Sequence, residues 1–175
     1  MNMLTNPLVW LRRFRHRCGY GVHSPFAFRF LTEVVYERSP YYAYAELDAS
    51  LRWWQRWRIR RSLHLLFRMA NRLQPSQIVV DKESPLATRY MLAACRRATL
   101  GNNLDATMPA LCFLGQPDNA IATRLQPGSV LVMDHLRQHR EWFRSLPATV
   151  TFDLYDLGIA FFYPKLNKQH YIVNL

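Results

Sequence analysis

Glycine is scarce in this chain: there are six in 175 residues, and none between Gly21 and Gly101. Where a nucleotide-type ligand sits at the end of a strand, glycine normally lets the backbone approach it. The long glycine-free stretch therefore works against a phosphate-cradling loop in the first half of the chain. Acidic side chains are also few, 12 against 23 Lys and Arg, which leaves a net charge of +11. The three cysteines, Cys18, Cys95 and Cys112, are widely spaced and form no C-x-x-C pair. That spacing offers no zinc site and fits a reducing, cytoplasmic compartment. No apolar run reaches the roughly 18 residues of a membrane-spanning helix. At the N-terminus, arginines follow the short apolar stretch too closely for a signal peptide.

Apolar material is plentiful, with 50% hydrophobic and 14% aromatic residues, which argues for a packed core rather than disorder. The length suits one domain plus an extension. Charge is distributed unevenly. Residues 1–72 hold 13 Arg and 4 Asp or Glu, a net of +9, whereas residues 73–175 hold 10 Lys or Arg and 8 acids, a net of +2. An arginine-rich half points to nucleic acid or an anionic membrane surface; the competing reading is a solvated helical surface.

The basic half reads as helical. Asn6-Pro7 opens a short amphipathic helix to about Arg17, with Trp10 and Phe14 among Arg12, Arg13, Arg15 and Arg17. Ser24-Pro25 caps a second helix running to about Arg38, and capping accounts for Ser24 without a nucleophilic role beside His23. Further on, Ile59, Leu63, Leu66, Phe67, Ala70 and Leu73 share one stripe, with Arg61, Arg68 and Arg72 opposite. Extending that helix backwards puts Arg52 and Arg56 into the apolar stripe, so the pattern predicts a break near Trp57–Arg60. Trp53, Trp54 and Trp57 among arginines suit either base stacking or packing between helices.

The second half is organised around Gln77–Thr88, QIVVDKESPLAT. Ile78, Val79 and Val80 make a buried strand, and Ser84-Pro85 reads as a capped helix start, giving strand, short loop and helix. Ala110–Leu114 and Ser129–Met133 are further strands, each followed by a helix, with a polar loop over Thr99–Pro109. Such alternation implies a parallel sheet. Three β-rich runs, Thr149–Leu154, Gly158–Tyr163 and His170–Val173, then read as an antiparallel closure. The expectation is an α/β, Rossmann-like sheet of five or six strands. A basic helical segment, 1–58, precedes a Rossmann-like domain, 59–175.

Four stretches carry a resemblance: YGVHSPFAF at Tyr20–Phe28 with YYAY after it, LLFRMANRLQP at Leu65–Pro75, SVLVMDH at Ser129–His135, and the ending TFDLYDLGIAFF with KQHYIVNL. Together they resemble a bacterial, Bacteroidetes-type family of class I S-adenosylmethionine (SAM)-dependent methyltransferases. The resemblance implies SAM as cofactor, held by an acidic, glycine-bearing loop after the first strand. The matching positions here are Asp81, Lys82, Glu83, Ser84, Pro85 and Leu86, acidic but without the glycines. It therefore makes Asp81, Glu83 and Ser84 the cofactor-binding candidates and puts Asp134 near the methyl acceptor as the catalytic candidate. Leu114 and His135 stand where the family carries acids. No metal is expected, since one carboxylate and one imidazole suit a hard cation poorly. The implied function is a methyltransferase-like protein with weakened or lost cofactor binding, a pseudoenzyme. The alternative is a basic, non-enzymatic binding module for nucleic acid or an anionic membrane.

Overall fold

The computed structural model of the chain describes residues 24–81, 84–101, 104–105 and 107–174. The helix expected over Asn6–Arg17, and Glu83 in the loop after the first strand, lie outside them. Ser24 caps helix α1 (Pro25–Phe30) as its residue type dictates, accepting the Ala27 N–H at 3.4 Å. The chain then widens into a π-helical turn, Leu31–Val35, closed by the Tyr36 N–H on the Leu31 carbonyl. Helices α2 (Tyr42–Ala49), α3 (Trp53–Arg58) and α4 (Arg60–Leu73) follow. The phase break lies where the hydrophobic pattern predicts it. Ile59 leaves helical geometry at φ −120°, which lets α4 keep its apolar stripe buried while α3 turns away.

Arg68 departs from the sequence expectation. Placed opposite the apolar stripe by periodicity, it is instead buried, its guanidinium donating to the carbonyls of Val34 at 2.6 Å and Val35 at 3.1 Å. The widened turn leaves those carbonyls at a helix end, and a long forked donor satisfies both. Arg72, by contrast, stays on the surface and pairs with Glu33 at 3.2 Å.

Seven strands form one sheet: β1 (Gln77–Val80), β2 (Thr99–Gly101), β3 (Ala110–Leu114), β4 (Val130–Met133), β5 (Val150–Asp153), β6 (Gly158–Phe161) and β7 (Gln169–Ile172), in the order β2-β1-β3-β4-β6-β5-β7. Helix α5 (Pro85–Ala94) follows β1, α6 (Asn119–Arg124) follows β3, and α7 (Leu136–Ser145) follows β4. The pairings β1–β2, β1–β3 and β3–β4 are parallel; β6 runs antiparallel to both β4 and β5. The fold is thus α/β, resembling a Rossmann-like sheet that is mostly parallel with an antiparallel C-terminal closure and helices before it. Two details differ from the sequence reading. The segment read as a polar loop holds β2, a three-residue edge strand too short and too exposed to show a hydrophobic pattern. The last run, β7, joins β5 in parallel rather than antiparallel, so the reversal is carried by β6 alone.

Side chains alternate across the sheet, as strand geometry requires. Ile78, Val80, Phe113, Val132, Phe152 and Phe161 face one core, which they share with Phe30, Leu47, Leu66 and Met91 of the preceding helices and α5. Val79, Cys112, Leu114, Leu131 and Met133 face the other, beneath Leu136 and Phe143 of α7. With helices on both faces, the central strands read as unbroken apolar runs.

Candidate functional site

The chain leaves β1 and runs through α5 to β2 on one side, while β3 lies on the other side of β1. That reversal of strand order opens a crevice at the carboxyl ends of β1 and β3, the position where open α/β sheets hold ligands. Asp81 continues β1 into this crevice, its N–H on the Phe113 carbonyl at 3.1 Å. Its carboxylate lies over Gly115, where a Cβ would meet Asp81 Oδ2 at 3.4 Å. A cavity of about 270 Å³ runs beside it, between Val80 and Asp81 on one strand and Leu114, Gln116 and Asp118 on the other. The Asp118 side chain is already engaged, accepting the N–H groups of Ala120 at 2.8 Å and Ile121 at 3.0 Å as the cap of α6.

A second cavity, of about 330 Å³, lies along the same edge of the sheet. Ser84, Pro85 and Asp134 line it together with Phe113 and Leu157, and Gln55 and Ser62 close it from α3 and α4. Ser84 and Asp134 are therefore brought together, whereas Asp81 belongs to the other cavity. Ser84 does not cap α5 as its residue type suggests. At φ −119° and ψ 57° its hydroxyl makes no bond to the helix, and the loop closes instead through its N–H on the Asp81 carbonyl at 3.0 Å.

Asp134 ends β4, its N–H on the Leu114 carbonyl at 2.8 Å. Its Oδ1 accepts the His135 N–H at 2.8 Å, and the imidazole of His135 stands 3.9 Å from Oδ2. His135 has φ 52°, in the left-handed region, and Tyr155 on the same side of the sheet has φ 79°. Side chains enter that region only when their surroundings hold them there, and such residues gather at functional edges. The structure does not align His135 with His139 as a regular helix would. His135 precedes α7, and His139 breaks its geometry at φ −121°. Among the described residues no group of three His, Cys, Asp or Glu side chains forms a metal cluster. Cys112 offers no nucleophile: it is wholly buried in β3, and burial pushes its thiol up to about 12.

Sequence reasoning missed a polar cluster away from this edge. Asp48 of α2 accepts from Tyr90 of α5 at 2.6 Å and lies 2.9 Å from Nε2 of His64 on α4. The Tyr44 ring stacks on that imidazole at 3.7 Å. Burial drives the His64 pKa below its usual range, although the Asp48 carboxylate raises it in part. The contact at neutral pH is therefore a hydrogen bond that the neutral ring donates from Nε2 to the Asp48 carboxylate. Burial, followed by the Asp48 contact, likewise holds the Tyr90 hydroxyl protonated. Nothing in the spacing of Asp48, His64 and Tyr90 marks them as partners, because three separate helices bring them together. Comparison with models of protein families, with curated proteins and with solved structures finds no match to this chain.

Proposed function

We propose that this chain is a class I SAM-dependent methyltransferase-like protein whose cofactor binding is weakened or lost, a pseudoenzyme that keeps the sheet as an interaction scaffold. Support for the first half comes from the resemblance, from the crevice at β1 and β3, and from the reversed β6 that the family's ending leads one to expect. The turn after β1 carries the second half. A SAM-type cofactor needs close backbone approach and free amide donors at the start of the following helix. Here no glycine occurs between Asp81 and Pro85, and Pro85 removes a donor at the first position of α5. The pyrrolidine ring itself lines the larger cavity, and the two cavities, at about 330 and 270 Å³, sit near the lower end for small-molecule sites. These residues do not fit the cofactor.

Calorimetric titration with SAM and with its demethylated product tests the reading. No heat, and no rise in thermal midpoint at millimolar ligand, is the expected result. Binding in the low micromolar range by either compound overturns the loss of cofactor binding.

A further inference from the structure

Helix α3 is unusual in burying none of its six residues, WWQRWR. Trp53 is 78% exposed and Trp57 76%, one helical turn apart, and Trp54 is 40% exposed. Tryptophan is normally well buried, and an isolated segment this short has no helical stability of its own. The structure nevertheless holds it in place. The Arg52 N–H donates to Gln55 Oε1 at 2.9 Å, and Arg56 Nε reaches the Asp48 carbonyl at 3.2 Å. Arg52, Arg56, Arg58, Arg60 and Arg61 are all exposed around the tryptophans, and no acidic residue occurs between Ala49 and Val80.

We propose that α3 is a docking surface for an anionic phospholipid membrane, with Trp53 and Trp57 entering the headgroup region and the surrounding arginines meeting lipid phosphates. Indole rings favour the membrane–water interface, and arginine next to them suits negatively charged headgroups. Single-stranded nucleic acid also stacks on aromatic rings, but it is held in a basic groove that tracks its backbone. Here the rings stand on a helix with no buried face, and neither described cavity is lined by a tryptophan. An exposed aromatic and basic helix with no tryptophan in a described cavity suits a lipid surface better than a strand of nucleic acid. The surface goes beyond the methyltransferase-like reading and stands whether or not SAM binds.

The test mixes the full chain with vesicles of phosphatidylcholine alone, or of phosphatidylcholine with phosphatidylserine, and follows sedimentation and tryptophan emission. The expected result is binding to the anionic vesicles only, weakened by salt, with a blue-shifted emission that brominated acyl chains quench. Trp53→Ala combined with Trp57→Ala lowers the partition coefficient by about tenfold or more. Arg52→Gln and Arg61→Gln each lower it by about fivefold. All four side chains are exposed, so circular dichroism and the thermal midpoint stay at the values of the parent chain. Absence of vesicle binding at low salt overturns the proposal. So does equal binding to neutral and anionic vesicles, or an unchanged partition coefficient in the double tryptophan variant. Tighter binding of a single-stranded RNA oligonucleotide that displaces the chain from vesicles overturns it in favour of nucleic acid.

Discussion

At the scale of single residues, Arg68 shows what helical periodicity leaves out. Its position on the wheel of α4 is polar, yet it is only 8% exposed, and its guanidinium caps the π-helical turn Leu31–Val35 through two carbonyls. Arg68→Met keeps the aliphatic stem and removes both donors, leaving two buried acceptors unpaired. The expected loss is about 2–4 kcal/mol in urea denaturation, with Arg68→Lys recovering less than half because lysine lacks the fork. A loss below about 0.5 kcal/mol would show that water replaces the guanidinium. The cluster at Asp48 gives a second, pH-dependent prediction. The His64 pKa lies below its ordinary 6.5, with burial the largest cause, Asp48 opposing it, and Arg60 and Arg68 adding to the fall. Unfolded chains take up this proton near 6.5 and folded chains resist it. The contribution is therefore complete above that pH and declines as pH falls through the folded-state value. His64→Gln should flatten the stability profile in that window, as read from thermal midpoints at stepped pH. An unaltered slope would mean that His64 titrates normally. Neither Arg68 nor the Asp48 cluster is legible in the sequence, because both depend on which helices lie side by side.

Elements are where sequence and structure agree best. Apart from Gln77 at the start of β1, the central strands β1, β3 and β4 are continuous apolar runs because helices cover both faces, and no competing pattern obscures them. The break between α3 and α4 is equally readable, since a straight helix would bury Arg52 and Arg56. Edge strands are harder to see: β2 is exposed over three residues, and the alternating burial of β7 does not say in which direction it pairs. The candidate site divides in the same way. Asp81, Ser84 and Asp134 fall at or just after strand ends that the pattern locates, but their division between two cavities, one of them walled by Gln55 and Ser62, depends on tertiary packing that the pattern does not encode. Helix α7 packs closely on β6 at Gly158, where a Cβ would come within 2.8 Å of Phe143 Cε2 and 2.9 Å of Leu136 Cδ1. Phe143 is itself buried among β4 and β6 and has no room to swing aside. Gly158→Ala should therefore cost about 1–3 kcal/mol by overpacking. Chemical denaturation measures it, and a neutral result would mean that α7 shifts as a unit.

At the scale of the whole molecule, the basic helices and the sheet share one core. Phe30 packs against Phe152 at 5.0 Å and Phe161 at 4.9 Å, and Phe26 meets Phe161 edge-on at 5.1 Å. Tyr36 donates to the Asn174 carbonyl at 2.9 Å, joining the first described helix to the end of the chain. Charge divides the chain after residue 72, with a net of +9 over 1–72 against +2 over 73–175, but charge reports on solvent and partners rather than on which residues pack together. Removing residues 1–58 would uncover the face of β5 and β6 that holds Phe152 and Phe161, and would take away the Val34 and Val35 carbonyls to which Arg68 donates. A burial loss of that kind exceeds the stability margin of a small domain, typically about 5–15 kcal/mol. The fragment 59–175 should therefore lose near-UV circular dichroism, bind a hydrophobic dye and melt without a cooperative transition, while the full chain melts cooperatively. A fragment with a sharp transition and native near-UV signal would establish the sheet as an autonomous domain, with the helical segment as an appendage to it.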